Sequence, residues 1–486
     1  MSQHKSLSGI LRATGLLGSV QVLHVLISIV RNKLTAVFIG ANGMGLVDLY
    51  NRSIEFICQA TNFGIGFSAI RSLSNLYETG TAHQCRRFVK LIRSWTLTLS
   101  VLGMLVCILM APWIANWSGG QSSALGYLRL SPMVAFLTLT GGEMAILKAT
   151  RQLKTLALNT AISAFCTLIL TAIFYGAFGM HGIIPVLLSG SFCMLAINLW
   201  STTRMYPYRV SVNVCFLREG GPIIKLGLAY IGAGILGSGS ELLIRDFIVS
   251  DGGLHTAGLY AAGLTLTVSY ARIIFVAMDA DYFPRLSVAF NTPGELSPTV
   301  NRQIDALVLL MTPFLALFAI FLPFIIRLLY TPDFLAAMPM VLAALSYMFF
   351  KAVYAPIAYL SLAKGDSLVY FIMELIYDVV FCGLVVLGYS RWGLFGAGLA
   401  LSASNLIDLI LLWSVYHFRY GYNMEFSTLW RTFVQGLLLA GVLVLCAQDN
   451  SLLHYLAGGI LAAFSVFMSF RLLSRETHII KKLFHR

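Results

Sequence analysis

The length of the uncharged runs constrains this chain more than any other feature. Only 11% of its 486 residues are charged and 58% are hydrophobic, with a mean hydropathy of +0.82, whereas soluble domains carry about a quarter charged residues. About 20 mostly apolar residues suffice for a helix to cross a hydrocarbon core of roughly 30 Å. The chain therefore reads as an all-α polytopic membrane protein. Breaking the runs at charges and at Gly, Pro, Asn and Asp clusters gives about fourteen expected transmembrane helices: 9–39, 45–70, 88–112, 124–147, 155–178, 182–203, 222–247, 257–283, 304–329, 335–362, 367–388, 393–416, 430–447 and 452–470.

The net charge of +13, from 33 Lys and Arg against 20 Asp and Glu, would suggest nucleic acid in a soluble chain. Here it reads as topology, and no nucleic-acid partner is expected. With the N-terminus cytoplasmic, 24 of the 33 basic residues fall in inward segments or at the span ends beside them, and the outward loops contain only Arg391. Both termini are thus expected inside. The polar start, Met1 to Ile10, runs into the first span without a small-residue cleavage site, so no removable signal peptide is expected. Eight cysteines without a CxxC pair indicate neither a disulfide framework nor a metal site. Neither a Walker A sequence nor HExxH or GxSxG is present, so no nucleotide hydrolysis, hydrolase or metal chemistry is supported, and the chain reads as a non-enzyme without a cofactor.

The two halves superpose at a nearly constant shift. Gly45 of GMGLVDLY matches Gly258 of HTAGLY at 213 residues; Gly179 and Gly182 of FGMHGI match Gly393 and Gly396 of WGLFGA at 214; Ala149 matches Ala363, again at 214. An even unit of six spans repeats in the same orientation, about an axis along the membrane normal. The expected domains are an N-terminal six-helix lobe, 1–215, a C-terminal six-helix lobe, 216–426, and a further helix pair with a basic tail, 427–486. Two facing lobes suggest alternating access around a central cavity.

Polar residues follow helical spacing within several spans. Gln21, His24, Ser28, Arg31 and Thr35 share one face of the first, and Asp48, Arg52, Glu55, Gln59 and Asn62 share one face of the second. The seventh carries Gly234, Ser238, Glu241 and Arg245; the eighth carries Thr265, Ser269, Arg272 and Asp279. Such faces must meet water or one another, because a charge in hydrocarbon costs at least about 2.5–3.5 kcal/mol. A hydrated cavity follows, and arginines fork onto phosphate oxygens, which suits a diphosphate. Arg31, which coincides with Arg245 at the 214 shift, and Arg272 have no acid one turn away and are assigned to ligand contact; Lys351, mid-span, is a further cavity candidate. Arg52 with Glu55, and Arg245 with Glu241, have spacings that fit helix-stabilising ion pairs equally well. Glu143, Glu241, Asp279, Asp281, Glu374, Asp378 and Asp408 form the pool of intramembrane acids for proton or Na⁺ coupling, with Glu374 and Asp378 the sharpest pair. Packing explains that pair at least as well.

The segments VRNKLTAVFIGANGMGLVDLYN (Val30 to Asn51), DYFPRLS (Asp281 to Ser287), LLYTPDFLAA (Leu328 to Ala337) and YFIMELIYDVV (Tyr370 to Val380) resemble the Wzx-type polysaccharide flippases of the multidrug/oligosaccharidyl-lipid/polysaccharide exporter superfamily. The resemblance extends over about residues 9–416. It implies two six-helix lobes opening alternately to either side of the bacterial inner membrane. It further implies an undecaprenyl-diphosphate-linked oligosaccharide, such as an O-antigen unit, as substrate, and a cationic cavity role carried onto Arg31, Arg52, Arg245, Arg272 and Lys351. Membrane lipids, a proton or Na⁺, and glycan polymerase machinery are the expected partners. A peptidoglycan-precursor flippase and a drug/cation antiporter of the same superfamily stay open, and a membrane-embedded glycan polymerase is disfavoured by the short outward loops.

Overall fold

The protein is described from a computed structural model, which covers residues 2–117, 122–213, 221–269, 275, 282–283, 285–290, 292–448 and 452–476. All regular structure among these residues is helical. The helices are α1 Ser2–Thr61, α2 Ile65–Thr79, α3 Ala82–Trp117, α4 Ala124–Ala149, α5 Leu153–Phe178, α6 Ile183–Thr203, α7 Gly221–Leu264, α8 Leu296–Leu329, α9 Met338–Lys364, α10 Ser367–Tyr420, α11 Phe426–Ala447 and α12 Leu452–Glu476. Nine helices among the described residues are long and apolar enough to cross a membrane. The chain is a multi-pass membrane protein.

The longest helices are not single rods. α1 breaks at Gly40 (φ 63°, ψ −168°), α7 at Gly253 (φ 75°, ψ 176°), and α10 at Trp392 and Gly393 (the latter φ 59°, ψ −141°). A short 3₁₀ turn opening on Gly179 (φ 53°, ψ −129°) separates α5 from α6. Each break contains a glycine at positive φ, a conformation that other residues adopt only with strain. The broken positions themselves repeat: Gly40 and Gly253 are separated by 213 residues, and Gly179 and Gly393 by 214. The glycine breaks thus follow the same shift as the sequence anchors.

The chain divides into two compact units, residues 1–258 with 329–331, and residues 259–328 with 332–486. In the first, Tyr50, Ile54, Ile57, Ile114, Tyr127, Val134 and Tyr175 form a core shared by α1, α3, α4 and α5. Lipid is as apolar as this core, so close packing rather than exclusion from water decides which face turns inward. Small residues mark the close approaches: a Cβ at Gly103 would strike Thr61 and Val134, and one at Gly142 would strike Thr96. The outer surface keeps large apolar residues such as Leu109, Ile173, Phe192 and Trp200. In the second unit Gly398 lies directly against the Met340 backbone, and Gln435 ties α11 to α12 by donating to Ser469 (3.0 Å) and accepting from Ser465 (2.7 Å). The final pair is also joined to α8, where Asp305 accepts from Arg431 (2.6 Å) and Thr428 (3.2 Å).

Candidate functional site

A polar cavity of about 480 Å³ opens in the first unit, lined by Asp48, Asn51, Arg52, Glu55, Cys58, Gln59 and Asn62 of α1 with Met133 and Leu137 of α4. The five-residue stripe read from the second expected span thus lines one wall in its entirety, because steps of 3 and 4 hold a side chain on one helical face. α7 flanks the same wall: Gly239 sits against the Phe56 ring, and Gly234 leaves room for the Gln59 carboxamide.

An ion network joins the two helices. Arg52 pairs with Glu241 (2.7 Å), Glu55 (3.1 Å) and Asp48 (3.5 Å), while Arg245 pairs with Asp48 (3.0 Å) and Glu241 (3.6 Å). Three carboxylates surround two guanidiniums. Arg52 keeps 32% of its side chain exposed and faces the cavity, whereas Arg245 is only 3% exposed. Both ion pairs foreseen from helical spacing form, and two more cross between helices. Arg245 also donates to the Glu241 carbonyl (3.2 Å), which fixes its orientation toward Asp48.

Arg31 is half-buried within electrostatic range of His24 on its own helix and of Tyr175 on α5. Arg272 and Asp279, with Asp281, lie outside the described residues. In the second unit, Lys351 sits 5.6 Å from the ring centroids of both Phe275 and Tyr347, a cation–π cage. It is also within electrostatic range of Glu374. Glu374 shares a small cavity of about 60 Å³ with Asp408 and the tyrosines Tyr354, Tyr370, Tyr377 and Tyr416. Asp378 is buried, but the acid that lines this cavity beside Glu374 is Asp408. The structure therefore gathers Arg52, Arg245 and Glu241 at one place, and Lys351 with Glu374 at another.

Glu143 of the acid pool is spoken for: Arg93 binds it by two parallel hydrogen bonds (2.8 and 3.0 Å), and Thr202 donates to it as well (2.5 Å). The third arm of Arg93 donates to the carbonyls of Tyr206 (3.0 Å) and Pro207 (3.1 Å), pinning the segment after α6. Two buried acids escaped the sequence reading, Asp305, which is paired with Arg431, and Asp246. Asp246 lies on α7 next to Arg245, off the polar stripe, and is buried in the structure. The only signal available was its charge inside an apolar run.

A model of the polysaccharide biosynthesis protein family matches residues 80–339. The chain belongs to that family. Its fold is similar to that of the lipid II flippase MurJ in an inward closed conformation (TM-score 0.66, 16% identity, covering 94% of this chain and 99% of the other). It is similar also to an inward-facing multidrug resistance MATE family transporter of the MOP superfamily (TM-score 0.66, 14% identity, 82% and 94% covered). A third similar structure is a MOP superfamily transporter from Pyrococcus furiosus, in which a reverse polarity of the binding pocket suggests a different function (TM-score 0.57, 15% identity, 84% and 95% covered). Comparison with curated proteins found no match. Family and fold agree with the resemblance read from the sequence.

Proposed function

We propose that this polysaccharide biosynthesis protein is a flippase that moves an undecaprenyl-diphosphate-linked oligosaccharide, an O-antigen or related surface-glycan unit, across the bacterial inner membrane by alternating access. The observation that carries the reading is the polar cavity on α1, set among lipid-facing helices and presenting Arg52. A sugar diphosphate is too polar for hydrocarbon while its polyprenyl anchor is not, so a wet wall beside lipid serves both ends. The family match and the likeness to a lipid II flippase support a lipid-linked substrate.

Arg52 is the arginine placed to receive phosphate oxygens in exchange for Glu55 or Glu241. Arg245 acts behind it as a positioning residue that holds Asp48 and Glu241. Arg31, Arg272 and Lys351 are assigned to the same substrate path, in which the six-helix repeat supplies the two lobes, with both termini cytoplasmic. The excess of carboxylates over guanidiniums in the network favours one second reading, a drug/cation antiporter of the same superfamily.

Replacement of Arg52 separates the two. For a glycan flippase, Arg52→Ala reduces surface glycan at least tenfold while the protein stays in the membrane at normal level, and Arg31→Ala does the same. Normal glycan in Arg52→Ala, together with altered resistance to cationic drugs, establishes the antiporter instead.

A further inference from the structure

Asp246 is 5% exposed, and neither of its carboxylate oxygens has a hydrogen-bond partner among the described residues. It lies within electrostatic range of Tyr127. That hydroxyl is already engaged by Ser53 (3.1 Å), and since Ser53 donates its own proton to the Leu49 carbonyl (2.9 Å), Tyr127 must be the donor to Ser53. No proton is left over for Asp246. The charged groups of the neighbouring network are committed elsewhere: on its own helix Glu241 and Arg245 pair with Arg52 and Asp48 of α1, and Tyr127 of α4, within its electrostatic range, packs edge-on against the Tyr50 ring; Asp251 and His255 are the other acidic or basic side chains toward the C-terminal end of α7. An ionised carboxylate in such a place, with neither donor nor cation, loses its hydration and gains nothing in return.

We infer that Asp246 is a proton-binding site: it is held as the neutral acid while α7 is packed as seen here, and it releases its proton when this end of α7 opens to water. The step balances simply, since the O–H bond of the carboxylic acid breaks, the proton passes to bulk water, and the carboxylate left behind is hydrated. Reclosing requires a proton back from the same water. Asp246 lies about two helical turns before the glycine break at Gly253, in a stretch that the charge pattern assigns to the outer side. Proton activity outside therefore biases the packing of α7, by about tenfold per pH unit above the acid's titration. Because Asp48 and Glu241 contact the neighbouring Arg245, movement of Asp246 is transmitted to the network that presents Arg52. This last coupling to glycolipid movement rests on the flippase reading; the protonation itself does not.

The test uses purified full-length protein in nanodiscs. The neutral acid stabilises the closed packing, so the wild-type melting temperature should fall as pH rises from about 5 to 9. Asp246→Asn, which mimics the protonated form, should lie above wild type at the alkaline end and follow a flatter curve, and Asp246→Glu should restore the slope. A second readout is the labelling rate of a cysteine placed at Asp251 in a cysteine-free background. Expressed relative to a fully exposed control cysteine at the same pH, because thiolate reactivity itself rises with pH, it should rise with outside pH when Asp246 is present and become independent of pH in Asp246→Asn. Parallel melting curves, or unchanged pH dependence of labelling, overturn the inference. Failure of the wild-type protein to move a lipid-linked oligosaccharide in vesicles would instead remove the flippase reading and leave these two results standing.

Discussion

Individual charges in this protein divide by whether their partners are complete. Arg93 and Glu143 are almost fully buried and saturate each other with help from Thr202 and two backbone carbonyls. Removing one member of a buried pair strands the other, at a cost of about 3–5 kcal/mol. Arg93→Ala should therefore lower the thermal stability of the detergent-solubilised protein sharply, whereas the double replacement Arg93→Met with Glu143→Leu should recover much of the loss. Partial recovery by the double variant is the diagnostic measurement. At the loop between α9 and α10, Asp366 is held below the usual carboxylate range by the Tyr420 hydroxyl, which donates to it at 2.9 Å, and by the adjacent Arg419 guanidinium. A depressed folded value means that this contribution is present above the ordinary carboxylate range and is lost as pH falls through the folded value. Asp366→Asn should remove that acid-side component from the melting profile, and a small effect is expected because the site is exposed. The Arg52 network stands between these extremes, ordered by Arg245 from behind yet open to the cavity in front.

At the scale of elements, the breaks matter more than the rods. Gly45 and Gly258 bring α1 and α7 into backbone contact: a Cβ on Gly45 would strike Leu254 and Gly258, and one on Gly258 would strike Ala41 and Gly45. Each partner maps onto the other at the 213 shift, so the contact is reciprocal. Gly258→Val or Gly45→Val should abolish recovery of folded protein, measured as a monodisperse peak after solubilisation, because backbone atoms cannot step aside as a side-chain tip can. Gly66→Ala, where nothing lies within 4 Å, is the matched control and should be tolerated. The first expected spans come out continuous in α1 because the chain turns at one glycine instead of passing through a loop, so charge and hydropathy set their existence while Gly40 sets their junction. The missing loop residues left little room for a turn signal beyond glycine itself.

For the whole molecule, the distribution of basic residues makes a topological prediction. Cysteines introduced one at a time at His83 and Asp251, in a cysteine-free background, should be labelled in intact cells by an impermeant reagent only at position 251. Reversal of that pattern would invert the proposed orientation and with it the direction of transport. The fold is shared with solved structures at only 14–16% identity, so the architecture by itself does not choose a substrate.

The sequence by itself determined that the chain crosses a membrane many times, that short stretches of its two halves match at a nearly constant shift, and that the stripe from Asp48 to Asn62 is polar. These properties are local: hydropathy, residue spacing and a constant shift need no knowledge of what lies across the helix. Only the tertiary structure decided which charges are spent. Spacing offered Arg245 a partner in Glu241, but the cross-helix contact with Asp48 and the burial of Arg245 follow from the approach of α7 to α1, set by two glycines far apart in the chain. The same approach enclosed Asp246, whose isolation depends on donors that other helices supply or withhold, a property no single span contains.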